Sequence, residues 1–111
     1  MKILVSGLYG HMGREVAALL KKGVEGGELT AGVSLDIDGS LDVPCVETFG
    51  QAETNVDCIV DFSHHSWTED LLEFAVCHNL PVVLATTGQT EEEMQMITDA
   101  AKHIPIFFAA N

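Results

Sequence analysis

The sequence is poor in positive charge. Its 111 residues include five Lys and Arg against seventeen Asp and Glu, which gives a formal net charge of −12. A broad nucleic-acid surface needs basic residues that neutralise phosphates, and this composition excludes one. No apolar run approaches the ~20 residues that span a bilayer. We therefore expect neither nucleic acid nor a membrane as a partner.

Cysteine is also scarce. The three cysteines form an odd set without a Cys-X-X-Cys spacing, which predicts neither a disulfide framework nor a zinc signature. Cys58 and Cys77 lie within apolar segments and are interpreted as small core residues. A reduced, cytoplasmic setting is the expectation.

Apolar residues make up 47% of the chain, enough for the core of one domain over residues 1–111. Their pattern alternates between short continuous runs and helical spacing. Continuous apolar strands are covered on both faces, as in a parallel sheet between two helical layers. The prediction is an α/β fold, a Rossmann-like doubly wound parallel sheet in three α/β/α layers. The expected strands span 2–6, 29–35, 57–62, 81–85 and 104–109, and the expected helices span 12–22, 67–78 and 90–102.

A glycine-rich turn joins the first strand to the first helix. In open parallel sheets, ligands bind beyond the carboxyl ends of the strands. Gly7, Gly10 and Gly13 would let this backbone approach a diphosphate, with the helix N–H groups holding its charge. Tyr9 occupies the place of the usual middle glycine. The alternative is a tight turn without a ligand.

Asp36 follows the second strand, 23 residues after Gly13. This spacing is close to the ~20 residues expected for a carboxylate that binds a ribose of a dinucleotide. Ile37 offers no positive charge to a 2′-phosphate, so the charges favour NADH over NADPH. The alternative is a turn aspartate beside Asp38 and Gly39. Calcium is disfavoured because Gly39 takes the fourth loop position and not the sixth.

The His64-His65 pair suggests metal binding or acid–base chemistry. Adjacent side chains on a regular element diverge, so one ion is not easily chelated, and no metal site is predicted. A loop over the cofactor is the preferred interpretation, and Trp67 is assigned to helix–sheet packing. A phosphoacceptor domain is rejected because glycines follow the first strand where an acidic Mg²⁺ cluster would be needed.

Four segments together resemble the N-terminal domain of the 4-hydroxy-tetrahydrodipicolinate reductase (dihydrodipicolinate reductase) family. The similarity runs in order along the whole chain. The segments are Val5-Ser6-Gly7-Leu8-Tyr9-Gly10-His11-Met12-Gly13-Arg14, Asp61-Phe62-Ser63, Ala85-Thr86-Thr87-Gly88 and Phe108-Ala109-Ala110-Asn111.

The resemblance implies a domain that binds NADH or NADPH. By position, the diphosphate would be lined by Gly7, Leu8, Tyr9, Gly10, His11 and Met12. Asp36 would hold the adenine ribose, and Phe62 and Ser63 would border the cofactor. The nicotinamide and its ribose would meet Ala85, Thr86, Thr87, Ala109, Ala110 and Asn111. His11 and Ile37 stand where relatives often have basic residues, which again favours NADH, with NADPH as a second option.

The resemblance also implies a second domain. In the family, that domain carries the histidine-rich catalytic motif, the lysine proton donor and a Gly-Thr substrate turn, none of which occurs in these 111 residues. The chain is therefore expected to be a fragment that binds cofactor without turnover and contains no catalytic residue. The family's tetramer is built mainly from the second domain, which leaves a monomer open for this chain. The alternative function is a non-catalytic NAD-sensing or regulatory module.

Overall fold

The computed structural model describes residues 1–21 and 26–109. Strands and helices alternate along the chain, with two short 3-10 helices at Phe49–Gln51 and His65–Trp67. Across these two ranges no helix is both long and apolar enough to cross a membrane. The strands are β1 (Lys2–Ser6), β2 (Glu28–Val33), β3 (Cys45–Val46), β4 (Cys58–Asp61), β5 (Val82–Leu84) and β6 (Ile106–Phe108), and the helices are α1 (His11–Lys21), α2 (Thr68–Cys77) and α3 (Glu91–Ala100).

The six strands form one parallel sheet in the order β3-β2-β1-β4-β5-β6. The chain starts in the centre of the sheet, winds outward through β2 and β3, and then returns to β4 on the other side of β1. The strand order therefore reverses between β1 and β4, the position at which doubly wound sheets bind their ligands. The predicted Rossmann-like fold is confirmed.

Leu4 and Val5 show why the central strands are continuously apolar. They are neighbours in β1, so their side chains lie on opposite faces of the sheet, and both are fully buried. Val5 packs in a cluster with Ala17 of α1, whereas Leu4 packs in the larger cluster that includes Leu71 of α2 and Ile97 of α3. The sheet thus lies between two helical layers.

The predicted elements are confirmed, but one strand was missed. β1 has the predicted bounds, and the other predicted strands are shorter than expected. Lys22, the last residue expected in the first helix, lies outside the described residues. β3 has two residues, too few for any hydrophobic periodicity, and follows Pro44. It is held at the sheet edge because the Gly32 amide donates to the Pro44 carbonyl and the Ser34 amide donates to the Val46 carbonyl, each at 2.9 Å. The 3-10 helix at Phe49–Gln51 was missed for the same reason.

All three cysteines are free. The interpretation of Cys77 as a core residue is wrong, because it lies in the last turn of α2 and is exposed. The buried face of that helix is supplied by Leu71, Leu72, Phe74 and Ala75. Cys58 is partly buried, and this burial raises the pKa of its thiol, with a further contribution from the nearby Asp57 carboxylate.

Gly13→Ala tests how closely α1 packs on the turn before it. Alanine favours a helix by about 1 kcal/mol over glycine, but a Cβ at Gly13 would lie 2.7 Å from the Leu8 carbonyl carbon. Because backbone cannot move aside, we expect a net loss of about 1–3 kcal/mol in the free energy of unfolding, measured by urea denaturation.

The matched control is Gly10→Ala, whose Cβ meets a single atom, the Gly7 carbonyl oxygen, at 3.3 Å. It should cost less than Gly13→Ala. A Gly13→Ala protein as stable as the parent would contradict the packing.

Candidate functional site

A crevice of about 230 Å³ opens at the carboxyl ends of β1, β2 and β4. It lies at the reversal of strand order, where the loops after these strands diverge to opposite faces of the sheet. Three chain segments form its walls: Ser6, Gly7, Tyr9 and Gly10 after β1, Val33, Ser34, Leu35 and Asp36 after β2, and Phe62, Ser63, His64 and Trp67 after β4.

Gly7 brings the backbones after β1 and β4 into contact. Its φ is +81°, a conformation that glycine adopts readily. A Cβ at this position would lie 2.8 Å from the carbonyl carbon of Phe62 and from the amide nitrogen of Ser63. The Phe62 amide also donates to the Ser6 carbonyl at 2.8 Å. Backbone atoms of these residues therefore form the floor of the crevice.

Several amides of this turn remain available to a ligand. The Tyr9 amide donates to Oγ of Ser34 at 3.0 Å, and the Gly10 amide donates to the Gly7 carbonyl at 3.1 Å. Among the residues that the structure describes, the amides of Leu8, His11 and Met12 have no hydrogen-bond acceptor. The first turn of α1 contains no acidic residue that would oppose an anion. Free N–H groups at a helix start are suited to a phosphate or diphosphate.

The Tyr9 ring does not fill the crevice. Tyr9 is 7% exposed and packs in the cluster with Val5, Leu8 and Ala17. Its hydroxyl accepts a hydrogen bond from the Leu41 amide at 3.3 Å. The Arg14 guanidinium covers the ring, 5.0 Å from its centroid. The large side chain at this position is thus absorbed into the core beside α1.

Asp36 lies on the wall formed after β2, in a left-handed conformation with φ of 56°. Arg14 holds the loop that follows: its guanidinium donates to Asp38 at 2.9 Å and to Oγ of Ser40 at 3.1 Å. Hydrogen bonds from Ser40, supported by Arg14, lower the pKa of Asp38 to about 2. The loop therefore carries two acids, Asp36 and the ionised Asp38. The charge of Arg14 is already paired with that of Asp38.

A buried polar network joins the loops after β4 and β5. Asp61, the last residue of β4, is 2% exposed. The amide and hydroxyl of Ser63 donate to its Oδ1 at 3.1 and 2.5 Å, and the Thr86 hydroxyl donates to its Oδ2 at 2.8 Å. Thr86 therefore lies directly behind Ser63 and does not itself line the crevice.

His64 and His65 stand side by side. Their ring centroids are 4.2 Å apart, so the expectation that adjacent rings diverge is wrong. The reason is that His64 is extended whereas His65 begins a 3-10 helix, so neither regular element governs the pair. His65 Nδ1 also lies 2.7 Å from Oε1 of Glu93. Within the described part of the chain, no three His, Cys, Asp or Glu residues are grouped as metal ligands.

Six of the residues expected to bind cofactor line the crevice: Gly7, Tyr9, Gly10, Asp36, Phe62 and Ser63. Leu8, His11 and Met12 do not line the crevice: the Leu8 side chain is buried, and His11 and Met12 are exposed in the first turn of α1. The remaining expected residues lie at the ends of β5 and β6, outside this wall: Ala85, Thr86, Thr87 and Ala109. Ala110 and Asn111 lie outside the described residues.

Sequence reasoning missed part of the wall after β2. Ser34 and Leu35 line the crevice, and Ser34 supports the Tyr9 amide. The sequence feature that could have identified this wall was Ser34, a residue with a hydroxyl group directly after a strand. Trp67 packs against the core as expected, but it also contributes to the wall.

Sequence comparisons with known proteins identify one family. The family described as dihydrodipicolinate reductase, N-terminus, matches residues 1–111. The chain is 37% identical over 111 residues to 4-hydroxy-tetrahydrodipicolinate reductase of Caldanaerobacter subterraneus subsp. tengcongensis. This match covers 100% of the chain and 43% of the relative, so the chain spans about two fifths of that protein.

Solved structures share the fold. Dipicolinate-bound dihydrodipicolinate reductase from Paenisporosarcina sp. TG-14 is similar with a TM-score of 0.71 and 21% identity, over 91% of this chain and 43% of that one. Scyllo-inositol dehydrogenase from Lactobacillus casei, with bound NAD(H) and scyllo-inositol, has a TM-score of 0.74 and 20% identity. That match covers 98% of this chain and 36% of the dehydrogenase.

The Asp38 interactions predict a pH dependence of stability. Because the folded pKa is lowered from 3.8 to about 2, the carboxylate stabilises the fold above pH ~4 and loses this effect as pH falls toward 2. We expect the stability difference between the parent and Asp38→Asn to shrink over that range in urea titrations. Asp42→Asn, in the same loop, is the control. A difference that is the same at pH 2.5 and pH 6 would contradict the assignment.

Proposed function

This chain belongs to the dihydrodipicolinate reductase family, and on that premise we propose that its crevice binds a nicotinamide dinucleotide. The observation that carries the proposal is the set of free amides at Leu8, His11 and Met12, next to a crevice whose opposite wall bears Asp36. Amides that lack an acceptor suit the diphosphate, and the carboxylate suits the hydroxyls of the adjoining ribose. The NAD(H) carried by the scyllo-inositol dehydrogenase of the same fold supports this proposal.

Each half of the sheet would hold one nucleotide. Folds of this strand order are built from two mononucleotide-binding halves that meet where the order reverses. With Asp36 after β2 on the adenosine ribose, the nicotinamide nucleotide would lie over β4 and β5, near Phe62, Ser63 and Thr86. Ala109, Ala110 and Asn111 would then follow on the nicotinamide side.

For the whole enzyme, we propose the family's reaction: hydride transfer from the reduced nicotinamide to the dihydrodipicolinate intermediate of lysine and diaminopimelate synthesis. Hydride transfer requires a substrate held about 3–3.5 Å from the nicotinamide and a group that protonates the product. We assign both to a second domain, supported by relatives that are more than twice as long as this chain. The 111-residue chain alone would bind cofactor without turnover. Three free thiols support the cytoplasm as its compartment.

NADH is the proposed cofactor, with NADPH bound more weakly. A 2′-phosphate next to Asp36 would face a second carboxylate at Asp38 and an uncharged Ile37. The cation that reaches this loop, Arg14, is bound to Asp38 at 2.9 Å. Repulsion between like charges therefore disfavours the phosphorylated cofactor.

Asp36→Asn tests the ribose contact. Asparagine tolerates the left-handed backbone at this position, whereas alanine would add strain to the loss of the carboxylate. Loss of a charged hydrogen bond should weaken NADH binding by about 1.5 kcal/mol, roughly tenfold, in calorimetric titrations.

Asp42→Asn removes the same charge from an exposed site that does not line the crevice, so it should bind NADH like the parent. An unchanged affinity in Asp36→Asn would remove Asp36 from the site. A parent chain that does not bind NADH would contradict the proposed function itself.

Ile37→Arg tests the charge argument for cofactor choice. Ile37 is 36% exposed, so an arginine side chain can extend into solvent with little loss of stability. We expect the NADPH-to-NADH affinity ratio to rise severalfold, because the guanidinium would bind the 2′-phosphate. Ile37→Met is the uncharged control. An equal ratio in both variants would defeat the argument.

A further inference from the structure

We propose that Asp61 is a positioning residue for the nicotinamide half of the cofactor. Its buried carboxylate sets the relative position of the loops after β4 and β5, between which the nicotinamide nucleotide would lie. The inference rests on the proposed dinucleotide function and adds to it a residue that does not itself line the crevice.

The geometry joins three residues through one side chain. Oδ1 of Asp61 accepts both donors of Ser63, which lies on the crevice wall. Oδ2 accepts the hydroxyl of Thr86, 25 positions further along the chain. The same hydroxyl also lies 2.6 Å from the Ser63 carbonyl oxygen, and its one hydrogen can serve either of these two acceptors at a time. Ser63 and Thr86 are thereby held at a fixed separation.

The Asp61 side chain lies at the end of the pairing between β4 and β5. Backbone pairing between β4 and β5 stops at Asp61 and Leu84, with one further bond from the Ala85 amide to the Asp61 carbonyl at 2.9 Å. Beyond that bond, no further backbone hydrogen bond joins the two loops within the described residues. The hydrogen bonds of the Asp61 side chain to Ser63 and Thr86 join the two loops in the region where a ligand would bind.

The burial of this acid has a cost. In the described ranges no basic side chain forms an ion pair with Asp61, although it is 2% exposed. A buried carboxylate without a cation is unfavourable unless hydrogen bonds compensate for lost hydration. The other buried residue of β4, Ile59, is apolar and fully buried, so packing alone does not require an acid here. Its three hydrogen bonds all go to the two loops.

A second side-chain hydrogen bond joins the chain segments that follow β4 and β5. His65, just beyond Ser63, bonds to Glu93 in the first turn of α3, which follows the β5 loop. The Glu93 side chain is 15% exposed and also accepts a hydrogen bond from the Thr90 amide, as part of the capping box at the start of α3. Since the His65–Glu93 hydrogen bond does not involve Asp61, we expect removal of the Asp61 carboxylate to shift the loops and leave the fold intact.

The test compares NADH with ADP, which keeps the adenosine and diphosphate but lacks the nicotinamide nucleotide. By calorimetry, Asp61→Ala should weaken NADH binding at least tenfold while ADP affinity changes less than twofold. Asp61→Asn should stay within about threefold of the parent for NADH. Its amide oxygen can accept from Ser63, and its NH₂ can donate to Thr86, whose hydrogen then goes to the Ser63 carbonyl.

Ile97→Val is the matched control, since it loosens the core at α3 without touching either loop. It should lower the urea midpoint and leave the NADH-to-ADP ratio unchanged. If Asp61→Ala shows no cooperative urea transition, Asp61→Ser, which is polar but too short to reach both loops, should show the same selective loss.

The outcomes separate the two proposals. Equal weakening of NADH and ADP, or an Asp61→Asn variant as weak as Asp61→Ala, would overturn the positioning role and leave dinucleotide binding standing. A parent chain that binds ADP but gains nothing from the nicotinamide nucleotide would overturn the positioning role as well. A parent that binds neither would overturn the proposed function, and the inference with it.

Discussion

The site depends on one close approach, that of the Gly7 backbone to the backbone of Phe62 and Ser63. A side chain at Gly7 would collide with both residues, so the contact requires glycine. The contact brings the turn before α1 next to the loop after β4, and the crevice opens between them where the strand order reverses. Gly13 contributes to the same arrangement from the helix, since the absence of a side chain lets α1 pack closely against the backbone of Gly7 and Leu8.

The local charges at the start of α1 favour an anion, although the chain as a whole is negatively charged. A net charge of −12 repels an anion at long range, and a dinucleotide carries two phosphates. The local arrangement reverses this effect, because the first turn of α1 contains no acid and leaves N–H groups without acceptors. In the proposed binding mode, Asp36 would face the ribose hydroxyls, which are donors that favour a carboxylate. The same acid, together with Asp38, would repel the 2′-phosphate of NADPH. One short stretch of chain would thus favour NADH over NADPH by charge.

Much of this could be predicted from the sequence, because its determinants are local. The glycine spacing after β1 and the carboxylate after β2 each act within a few residues, and the structure shows both on the walls of the crevice. Other features arise only when distant segments meet. β3 is a strand solely because Pro44 and Val46 meet β2. The Asp61–Thr86 bond spans 25 residues, and the close approach of the His64 and His65 rings follows from a change of backbone conformation between them. Hydrophobic spacing also misplaced Cys77, since it does not show where the last turn of α2 leaves the core.

The central claim is that backbone amides at the β1–α1 turn hold the diphosphate. Amide NMR of the ¹⁵N-labelled chain during titration with NADH measures this directly, residue by residue. We expect the largest chemical-shift changes at the amides of Leu8, His11 and Met12, with smaller changes at Asp36 and Ser63. Saturable binding that leaves those three amides unperturbed while resonances elsewhere move would contradict it.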